Sequence, residues 1–204
     1  MRHFVYFSRN ASTTGNFDLK NLMKAGRMDI VIHTIISGFF LSHGLREDVK
    51  MHLVFYGMPD PPKHIEIILK KDEGVPEEKK VGRIDISKKD IGNLLKKILY
   101  KYKVGKKNEA FPGCFIEKKS FLKVIEELEK EGKEIFILDK SGEDIRKAKI
   151  PDNCVFVLGD HDGLPKKELK RLKKIAKSVS IGEKTYFASQ TVAIVNNELD
   201  RRGI

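Results

Sequence analysis

Short apolar runs alternate with helical patterns in the second half of the chain, and this alternation constrains the fold most strongly. Residues 134–139 (EIFILD), 154–159 (CVFVLG) and 178–182 (SVSIG) have the length and composition of buried strands. Before, between and after them, apolar residues recur at helical spacing, as in residues 121–128, 169–176 and 188–202. Strands that alternate with helices pair in parallel, so the sequence predicts an α/β fold with a largely parallel sheet flanked by helices.

The first half of the chain repeats this pattern less regularly. Its apolar runs predict strands at residues 3–8, 49–57, 65–69 and 81–87. Residues 28–41 are apolar on all sides and long enough for a buried helix, and Gly44 is then the expected helix C-cap. With 204 residues, the chain can form one compact domain or two small ones.

Three glycine-containing loops follow the buried strands, at the edge of a parallel sheet where ligands bind. They are residues 138–142, 159–163 and 181–185, and each has an acidic residue nearby. Neither GxxxxGK[ST] nor GxGxxG is present, and carboxylates repel a phosphate, so the loops disfavour ATP, GTP and dinucleotides. A ligand that is uncharged or cationic here, such as a sulfonium nucleoside, fits better.

The run LGDHDG contains two acids, Asp160 and Asp162, that have two open interpretations. They either face a ligand, or they stabilise the first turn of the following helix through its dipole. Together with His161 they are a weak signal for a metal ion, because no partner ligands lie nearby in the sequence. No metal site is therefore predicted.

Basic residues are in excess, with 40 Lys+Arg against 29 Asp+Glu and a formal net charge of +11. Such an excess predicts a polyanionic partner, nucleic acid before an anionic membrane surface. The other interpretation is that a surface rich in lysine and glutamate reflects growth at high temperature, which the single glutamine, Gln190, also fits. Two basic runs are candidate phosphate contacts or merely solvated faces, namely Lys96, Lys97, Lys101, Lys103, Lys106 and Lys107, and Lys166, Lys167, Lys170, Arg171, Lys173 and Lys174.

The cysteine content and the hydrophobic segments predict a cytoplasmic protein without a membrane partner. Cys114 and Cys154 are too far apart for a CxxC metal pair and too few for a disulfide framework. The N-terminus has no long apolar segment typical of a signal peptide. The longest apolar stretch, residues 30–41, is too short to span a bilayer.

Four motifs occur together and in a specific order, namely GRMD (26–29), SHGLRED (42–48), LGDHDG (158–163) and NELDRR (197–202). With FILDKSG, VFVLGDHDGLPKKE and VSIGEKTYFASQTVAIVNNELDRR, they make the chain resemble the SPOUT RNA methyltransferases over nearly its full length. Within that superfamily, the chain is most similar to the archaeal tRNA pseudouridine-54 N1-methyltransferase family. Their joint occurrence is much more specific than any one motif.

The resemblance implies a SPOUT-type fold in which residues 1–204 form a single domain. Its C-terminal part, roughly residues 134–204, would form a deep trefoil knot that binds the cofactor. Threaded chains are rare among folds, so pattern reasoning alone does not predict this knot. The resemblance also implies a homodimer whose pocket lies close to the subunit interface, with the C-terminal helix at residues 188–202 as part of that interface.

S-adenosylmethionine is the cofactor that the resemblance implies. Its contacts are expected on Leu138, Gly159, Ser180, Ile181, Gly182, Glu183, Lys184, Thr185 and Thr191. Backbone amides and carbonyls would mostly contact the adenine, with apolar side chains beneath it, which fits loops that are glycine-rich without being basic. Many relatives have cysteine at the place of Thr191, so Thr191 is taken as a pocket residue without a catalytic role.

The same resemblance implies methylation of N1 of pseudouridine 54 in the T-loop of tRNA. Asp29 is the candidate that orients the base or takes its N1 proton, and Arg27 is the candidate that holds the carbonyl edge of the base or a phosphate. The related ribosomal-RNA pseudouridine N1-methyltransferases share this Arg-x-Asp spacing. The structural alternatives are a helix cap for Asp29 and a surface ion pair for Arg27. Arg9 and Asn10, in the loop after the first strand, are candidate RNA contacts.

Other functions stay open on the sequence alone. The same chemistry on ribosomal RNA is disfavoured only by the closer overall match to the tRNA family. A non-catalytic RNA-binding protein would bind RNA but not S-adenosylmethionine. A nicotinamide-dependent oxidoreductase is disfavoured because GxGxxG is absent.

Overall fold

The computed structural model describes residues 1–70 and 87–204. The strands are β1 (Arg2–Ser8), β2 (Phe40–Leu41), β3 (Gly44–Leu45), β4 (Val49–Phe55), β5 (Lys63–Ile67), β6 (Asn108–Phe111), β7 (Cys114–Glu117), β8 (Glu134–Asp144), β9 (Cys154–Gly159) and β10 (Lys177–Ser180). The helices are α1 (Met28–Phe39), α2 (Lys88–Tyr100), α3 (Phe121–Lys130), α4 (Lys166–Leu172) and α5 (Ala188–Arg202), with a 3₁₀ turn at Leu22–Ala25.

A twisted sheet of eight strands, in the order β10-β8-β9-β1-β4-β5-β7-β6, forms the centre of the described part of the chain. The five strands from β10 to β4 run parallel, whereas β5, β7 and β6 extend the sheet in antiparallel fashion. The prediction of an α/β fold with a largely parallel sheet flanked by helices is therefore confirmed. Because β1 is central, its apolar run is buried on both faces, as parallel sheets require.

The two faces of the sheet bury separate hydrophobic clusters. Phe4 and Tyr6 of β1 face the cluster that contains residues of α1, α2 and α5, while Val5 and Phe7 face the cluster that contains α3. This alternation follows from the two-residue period of a strand. Because the strands run parallel, their carboxyl ends share one edge, where the loops that follow β1, β9 and β10 lie. There β8 continues through residues 138–142, and its pairing with β10 shifts register between Ile137 and Glu143.

The prediction that Gly44 caps a helix spanning residues 28–41 is wrong. The helix α1 ends at Phe39, and Phe40 takes an extended conformation while its N–H still bonds to the carbonyl of Ile36. The next residues pair in a short antiparallel ribbon, Phe40 with Leu45 and Leu41 with Gly44. The apolar pattern therefore continued past the helix in part because Phe40, paired with Leu45 in this ribbon, still packs on the core.

Two further elements differ from the sequence prediction. The β6–β7 hairpin was not predicted, since it follows a lysine-rich segment whose composition is typical of a loop. The helix α4 is shorter than the predicted apolar stripe, and Ile175, beyond its end, is 46% exposed. Most of the predicted strand at residues 81–87 lies outside the described residues. Within the described residues, no helix is long and apolar enough to cross a membrane.

A buried row of three histidines crosses the sheet on the β1, β4 and β5 strands. Nδ1 of His3 lies 3.1 Å from Nε2 of His52, and Nδ1 of His52 lies 3.1 Å from Nε2 of His64. Nδ1 of His64 lies 3.1 Å from the Glu117 carboxylate, which can only accept from it. Burial lowers the pKa of all three imidazoles, that of His3 to about 3, so each is neutral and donates to its neighbour toward Glu117.

We expect this row to make folding stability depend on pH between about pH 7 and pH 5. An unfolded histidine titrates near pH 6.5, so the unfolded chain binds protons first as the pH falls, and stability is lost below about pH 6.5. The loss is about 2 kcal/mol for each histidine that stays neutral in the fold. Urea unfolding at several pH values measures it, and a His3→Phe variant should show a smaller slope. A free energy of unfolding that stays constant over this interval would contradict the assignment.

Candidate active site

A cavity of about 510 Å³ opens at the carboxyl edge of the sheet, between residues 137–140 of β8, the loops that follow β9 and β10, and the start of α5. Of the predicted cofactor residues, those that line it are Leu138, Gly159, Ile181, Gly182, Lys184, Thr185 and Thr191. The predicted loops 159–163 and 181–185 do contribute to one concave site, as their positions at strand ends predict. The prediction of a loop at residues 138–142 is wrong, because these residues lie within β8, although Leu138 still lines the cavity. The volume lies within the usual range for a pocket that holds a drug-sized ligand, about 300 to 1,000 Å³.

Two predicted residues do not line this cavity. Ser180 is buried at the end of β10, where its hydroxyl accepts from the N–H of Gly182 and donates to the carbonyl of the same residue, both at 3.1 Å. Ser180 therefore stabilises the backbone of the loop after β10 without lining the cavity. Glu183 is exposed and lies outside the lining.

Apolar side chains and glycine backbone make up much of the cavity wall. Leu138, Leu158 and Ile181 belong to the lining and also pack against the main core. Gly159 lies so close to Gly163 that a Cβ atom on it would meet the carbonyl carbon of Gly163 at 2.5 Å. Gly182 has a φ of +137°, which side chains of L residues rarely adopt. Such walls offer apolar surface to a flat ring and backbone groups to its edge.

Asp160 ties the loop after β9 to the loop after β1. One of its carboxylate oxygens accepts from the hydroxyl of Ser8 at 2.8 Å and from the N–H of Arg9 at 3.0 Å. The other oxygen accepts from the N–H of Asp162 at 2.9 Å. Helix α4 begins after Pro165 without a side-chain cap, so Asp160 joins two loops beside the cavity and does not cap the lysine-rich helix.

The three ligand atoms of Asp160, His161 and Asp162 lie within 4.8 Å of one another. Both oxygens of Asp160 already accept hydrogen bonds from protein groups, and Asp162 accepts from the side chain of Asn10 at 3.1 Å. These carboxylates therefore serve as acceptors within the loop network. The absence of a metal site stays a prediction.

We expect Asp160→Ala to destabilise the protein by about 1 to 3 kcal/mol, because the donors on Ser8, Arg9 and Asp162 would lose their acceptor where water has little access. Urea unfolding measures this loss. Asp162→Ala is the matched control, since it removes one exposed hydrogen bond and should change stability by less than about 0.5 kcal/mol. Equal effects of the two substitutions would contradict the role assigned to Asp160.

Arg27 and Asp29 form a two-pronged ion pair at the start of α1. Nε and Nη2 of Arg27 each lie 3.0 Å from a different carboxylate oxygen of Asp29, and both side chains are partly exposed. The hydrogen bond from Arg27 lowers the pKa of Asp29, so this group is a carboxylate at neutral pH. The next residue, Ile30, lines the cavity, so the ion pair borders it.

Neither structural alternative accounts fully for this pair. The N-cap of α1 is Arg27, and no side chain makes a cap hydrogen bond there, so Asp29 is not a helix cap. Arg27 does form the expected ion pair, but it takes a left-handed backbone conformation with a φ of +62°, the one non-glycine residue with positive φ in the described chain. Such a conformation costs about 1 to 3 kcal/mol and persists where the surroundings fix it, often at functional sites.

The predicted RNA-contacting residues lie in the loop after β1, which Asp160 and Asp162 join to the loop after β9. Arg9 and Asn10 are both exposed in the loop after β1, and the side chain of Asn10 donates to Asp162. The first basic run is partly structural, because Lys96 and Lys101 bond to backbone carbonyls at 2.7 Å. In the second run, Lys173 pairs with Asp139 at 2.7 Å, beside the cavity.

Sequence reasoning missed two features of this site. The hydroxyl of Tyr6 is buried without a hydrogen-bond partner among the described residues, and burial together with the charge of Asp160 raises its pKa. Tyr186 and Phe187 line the cavity and are 40% and 66% exposed. The sequence does indicate Tyr186 and Phe187, because two adjacent aromatic residues follow a glycine loop at a strand end. Nothing in the apolar run of β1 distinguishes Tyr6 from a core residue.

Comparison with known proteins gives matches over the whole chain. A family model described as SAM-dependent RNA methyltransferase matches residues 1–204. The chain is 36% identical over 204 residues to the tRNA (pseudouridine(54)-N(1))-methyltransferase of Methanococcoides burtonii, covering 98% of this chain and 96% of that protein. It is 37% identical over 208 residues to the protein of the same name from Thermococcus kodakarensis, covering 98% and 99%.

Among solved structures, the crystal structure of Archaeoglobus fulgidus Nep1 bound to S-adenosylhomocysteine superimposes with a TM-score of 0.63. The alignment covers 100% of this chain and 99% of that chain, at 15% sequence identity. At this identity the likeness concerns the fold, and it includes the whole described sheet and its helices.

Proposed function

Because this chain belongs to the SAM-dependent RNA methyltransferase family that contains the archaeal tRNA (pseudouridine(54)-N(1))-methyltransferases, we propose that it methylates N1 of pseudouridine 54 in tRNA. The full-length match at 36% identity carries this proposal. The geometry supports it independently, because a cavity suited to a nucleoside lies beside a carboxylate–guanidinium pair at one edge of the sheet.

The residues of the cavity fit S-adenosylmethionine. Leu138, Leu158 and Ile181 supply apolar surface for the adenine, and the backbone at Gly159 and Gly182 is open to the edge of the ring. Acidic residues near the loops favour a sulfonium over a phosphate, since a carboxylate attracts the former and repels the latter. When bound, S-adenosylmethionine supplies an electrophilic methyl group.

Pseudouridine needs little beyond alignment and the loss of one proton. It is attached to ribose through carbon, so its N1 keeps a hydrogen that uridine lacks. As N1 bonds to the methyl carbon, the carbon–sulfur bond breaks and the N1 proton must leave. We assign the acceptance or steering of that proton to Asp29, a carboxylate at neutral pH, and the contact with a carbonyl of the base to Arg27; the ion pair that the two form next to Ile30 supports this assignment.

Surface residues around the cavity suit a single-stranded RNA loop. Tyr186 and Phe187 are exposed aromatics at the rim, on which an unstacked base can pack. Arg9 adds positive charge next to the ion pair, and the exposed lysines of α4 lie on the helix that follows the β9 loop. We assign Arg9 and Asn10 to the RNA contact on this basis.

Two features of the family's architecture belong to the same proposal. We propose that residues 134–204 form a trefoil knot within one domain, which is supported by the match of the whole chain to the family. Arg202, the last residue of α5, bonds to the carbonyls of Ile145 and Ala148, so the end of α5 packs against the segment after β8. We also propose a homodimer, in the cytoplasm, with α5 at its interface.

Transfer of a labelled methyl group tests the proposed function. Purified protein is incubated with methyl-labelled S-adenosylmethionine and one of three RNAs: a tRNA with pseudouridine 54, the same tRNA with uridine 54, and a ribosomal-RNA fragment with pseudouridine. Label is expected only in the first. Equal or greater labelling of the ribosomal fragment would support the ribosomal alternative, and RNA binding without cofactor binding would support a non-catalytic protein.

A further inference from the structure

A second cavity, of about 370 Å³, lies at the same edge of the sheet as the first. The loop after β1, the 3₁₀ turn and Met58, which follows β4, form its walls. Gly26 lines it and directly precedes Arg27, so the ion pair stands between the two cavities. Asn10 also lines it, and its side chain donates to Asp162 in the loop that borders the first cavity.

The walls of the second cavity are fixed by close backbone packing. A Cβ atom on Gly26 would lie 1.6 Å from the carbonyl oxygen of Asn10, and one on Gly57 would lie 2.3 Å from the same oxygen. The N–H of Gly57 also bonds to the carbonyl of Ala11 at 3.1 Å. The loop after β1 therefore passes between two glycines, which holds the cavity at a set distance from Arg27.

The chemistry of this cavity suits a nucleobase. In the described part of the chain, the side-chain amides of Asn16 and Asn21 make no hydrogen bonds, so each offers a donor and an acceptor to a ligand. Such amides pair with the edges of bases. The 75% exposed Met58 supplies apolar surface to the face of a ring, and the buried Phe17, 8% exposed, also lines the cavity. The carboxylate of Asp18 disfavours a phosphate here but can accept from an exocyclic amino group.

We propose that the second cavity binds the base of an RNA nucleotide close in sequence to the methylated one, and that this base carries an amino group. The inference rests on the proposed function, because it assumes that the target base reaches Asp29 from the RNA. Proteins that read RNA loops bind unstacked bases by stacking and by hydrogen bonds to their edges. The lysine of the 3₁₀ turn, Lys24, is exposed at this cavity, where it can meet the phosphate of the same nucleotide.

Photo-crosslinking tests this placement directly. A T-loop RNA with pseudouridine at the target position receives 5-iodocytidine at one flanking position at a time, and the complex with full-length protein is irradiated. We expect at least one position to crosslink to a peptide that contains Phe17 or Met58, as mapped by mass spectrometry. Crosslinks that all map outside the walls of the second cavity would overturn the proposal.

Kinetics with a double variant give the second test. Asn16→Ala with Asn21→Ala should raise the KM for RNA by roughly tenfold, since two hydrogen bonds to uncharged groups are lost, while kcat and cofactor affinity stay the same. The matched control is Asn153→Ala, because Asn153 is exposed and lies at the opposite edge of the sheet. This variant should keep the KM for RNA, kcat and the cofactor affinity of the wild type. An unchanged KM for RNA in the double variant would overturn the proposal for the second cavity and leave the proposed function intact.

The wild-type protein in the same assay separates this proposal from the proposed function. If the wild-type protein transfers no methyl group to pseudouridine RNA, the proposed function fails. The crosslinking result then still decides whether the second cavity contacts RNA, because it requires binding and no turnover.

Discussion

Replacing Asp29 by asparagine should lower kcat for methyl transfer by a factor on the order of 10² to 10⁴, the range that a positioned acid–base group contributes. Asparagine keeps the size of the side chain but cannot accept a proton, and it weakens the two-pronged contact with Arg27. The cofactor affinity should stay the same, because Asp29 does not line the first cavity. Single-turnover methyl transfer and calorimetry with S-adenosylmethionine measure the two quantities.

The matched control is Asp48→Asn. Asp48 also pairs with an arginine, Arg2, at 3.2 Å, but it precedes β4 at the opposite edge of the sheet. Its replacement should leave kcat within about twofold of the wild type, because Asp48 lies at the edge opposite the candidate site and Arg2 keeps its ion pair with Asp200 at 2.7 Å. If Asp29→Asn transfers methyl groups as fast as the control, Asp29 is not the group that handles the N1 proton.

The second large effect is expected from Gly182→Ala. A Cβ atom at this position meets no other atom within 4 Å, but the φ of +137° is one that alanine rarely adopts. The free loop is expected to relieve this strain by changing its backbone, and cofactor binding must then restore the strained conformation at a cost of about 1 to 3 kcal/mol, which corresponds to roughly 5- to 150-fold weaker binding. Calorimetric titration with S-adenosylmethionine measures the affinity.

Gly132→Ala controls for the cost of alanine at positive φ. Gly132 follows α3, has a φ of +75° and likewise has no atom within 4 Å of its Cβ position, but it lies outside the first cavity. Both variants should lose similar thermal stability, and only Gly182→Ala should lose cofactor affinity. If the two variants bind S-adenosylmethionine with equal affinity, the loop after β10 is not part of the cofactor site.

The sequence predicted the parallel half of the fold well because its signals are local. The apolar run at residues 154–158 is uninterrupted and becomes the fully buried part of β9. Val192, Val195 and Leu199 recur at helical spacing before Gly203, and α5 ends at Arg202 with Gly203 in the left-handed conformation. The local pattern predicted the wrong C-terminus for α1, because the next residue, Phe40, leaves the helix to pair with Leu45 in a ribbon.

The candidate site was predictable to the extent that it follows strand ends. Leu138, Gly159 and Ile181 come directly after or at the end of apolar runs, so their meeting at one edge follows from a parallel sheet. The acceptor role of Asp160 for Ser8 joins residues 152 positions apart, and no spacing rule indicates it. The knot and the dimer came from the resemblance to a family, and they stay proposals.

The measurement that tests the central claim most directly is nucleoside analysis of tRNA after reaction with the purified protein and S-adenosylmethionine. The RNA is digested completely, and the methylated nucleoside is identified by mass spectrometry against synthetic standards. We expect 1-methylpseudouridine from position 54, in an amount that rises with time, and none of this nucleoside when position 54 is uridine. A methyl group on ribose, on N3 of the base or on another nucleotide would contradict this expectation.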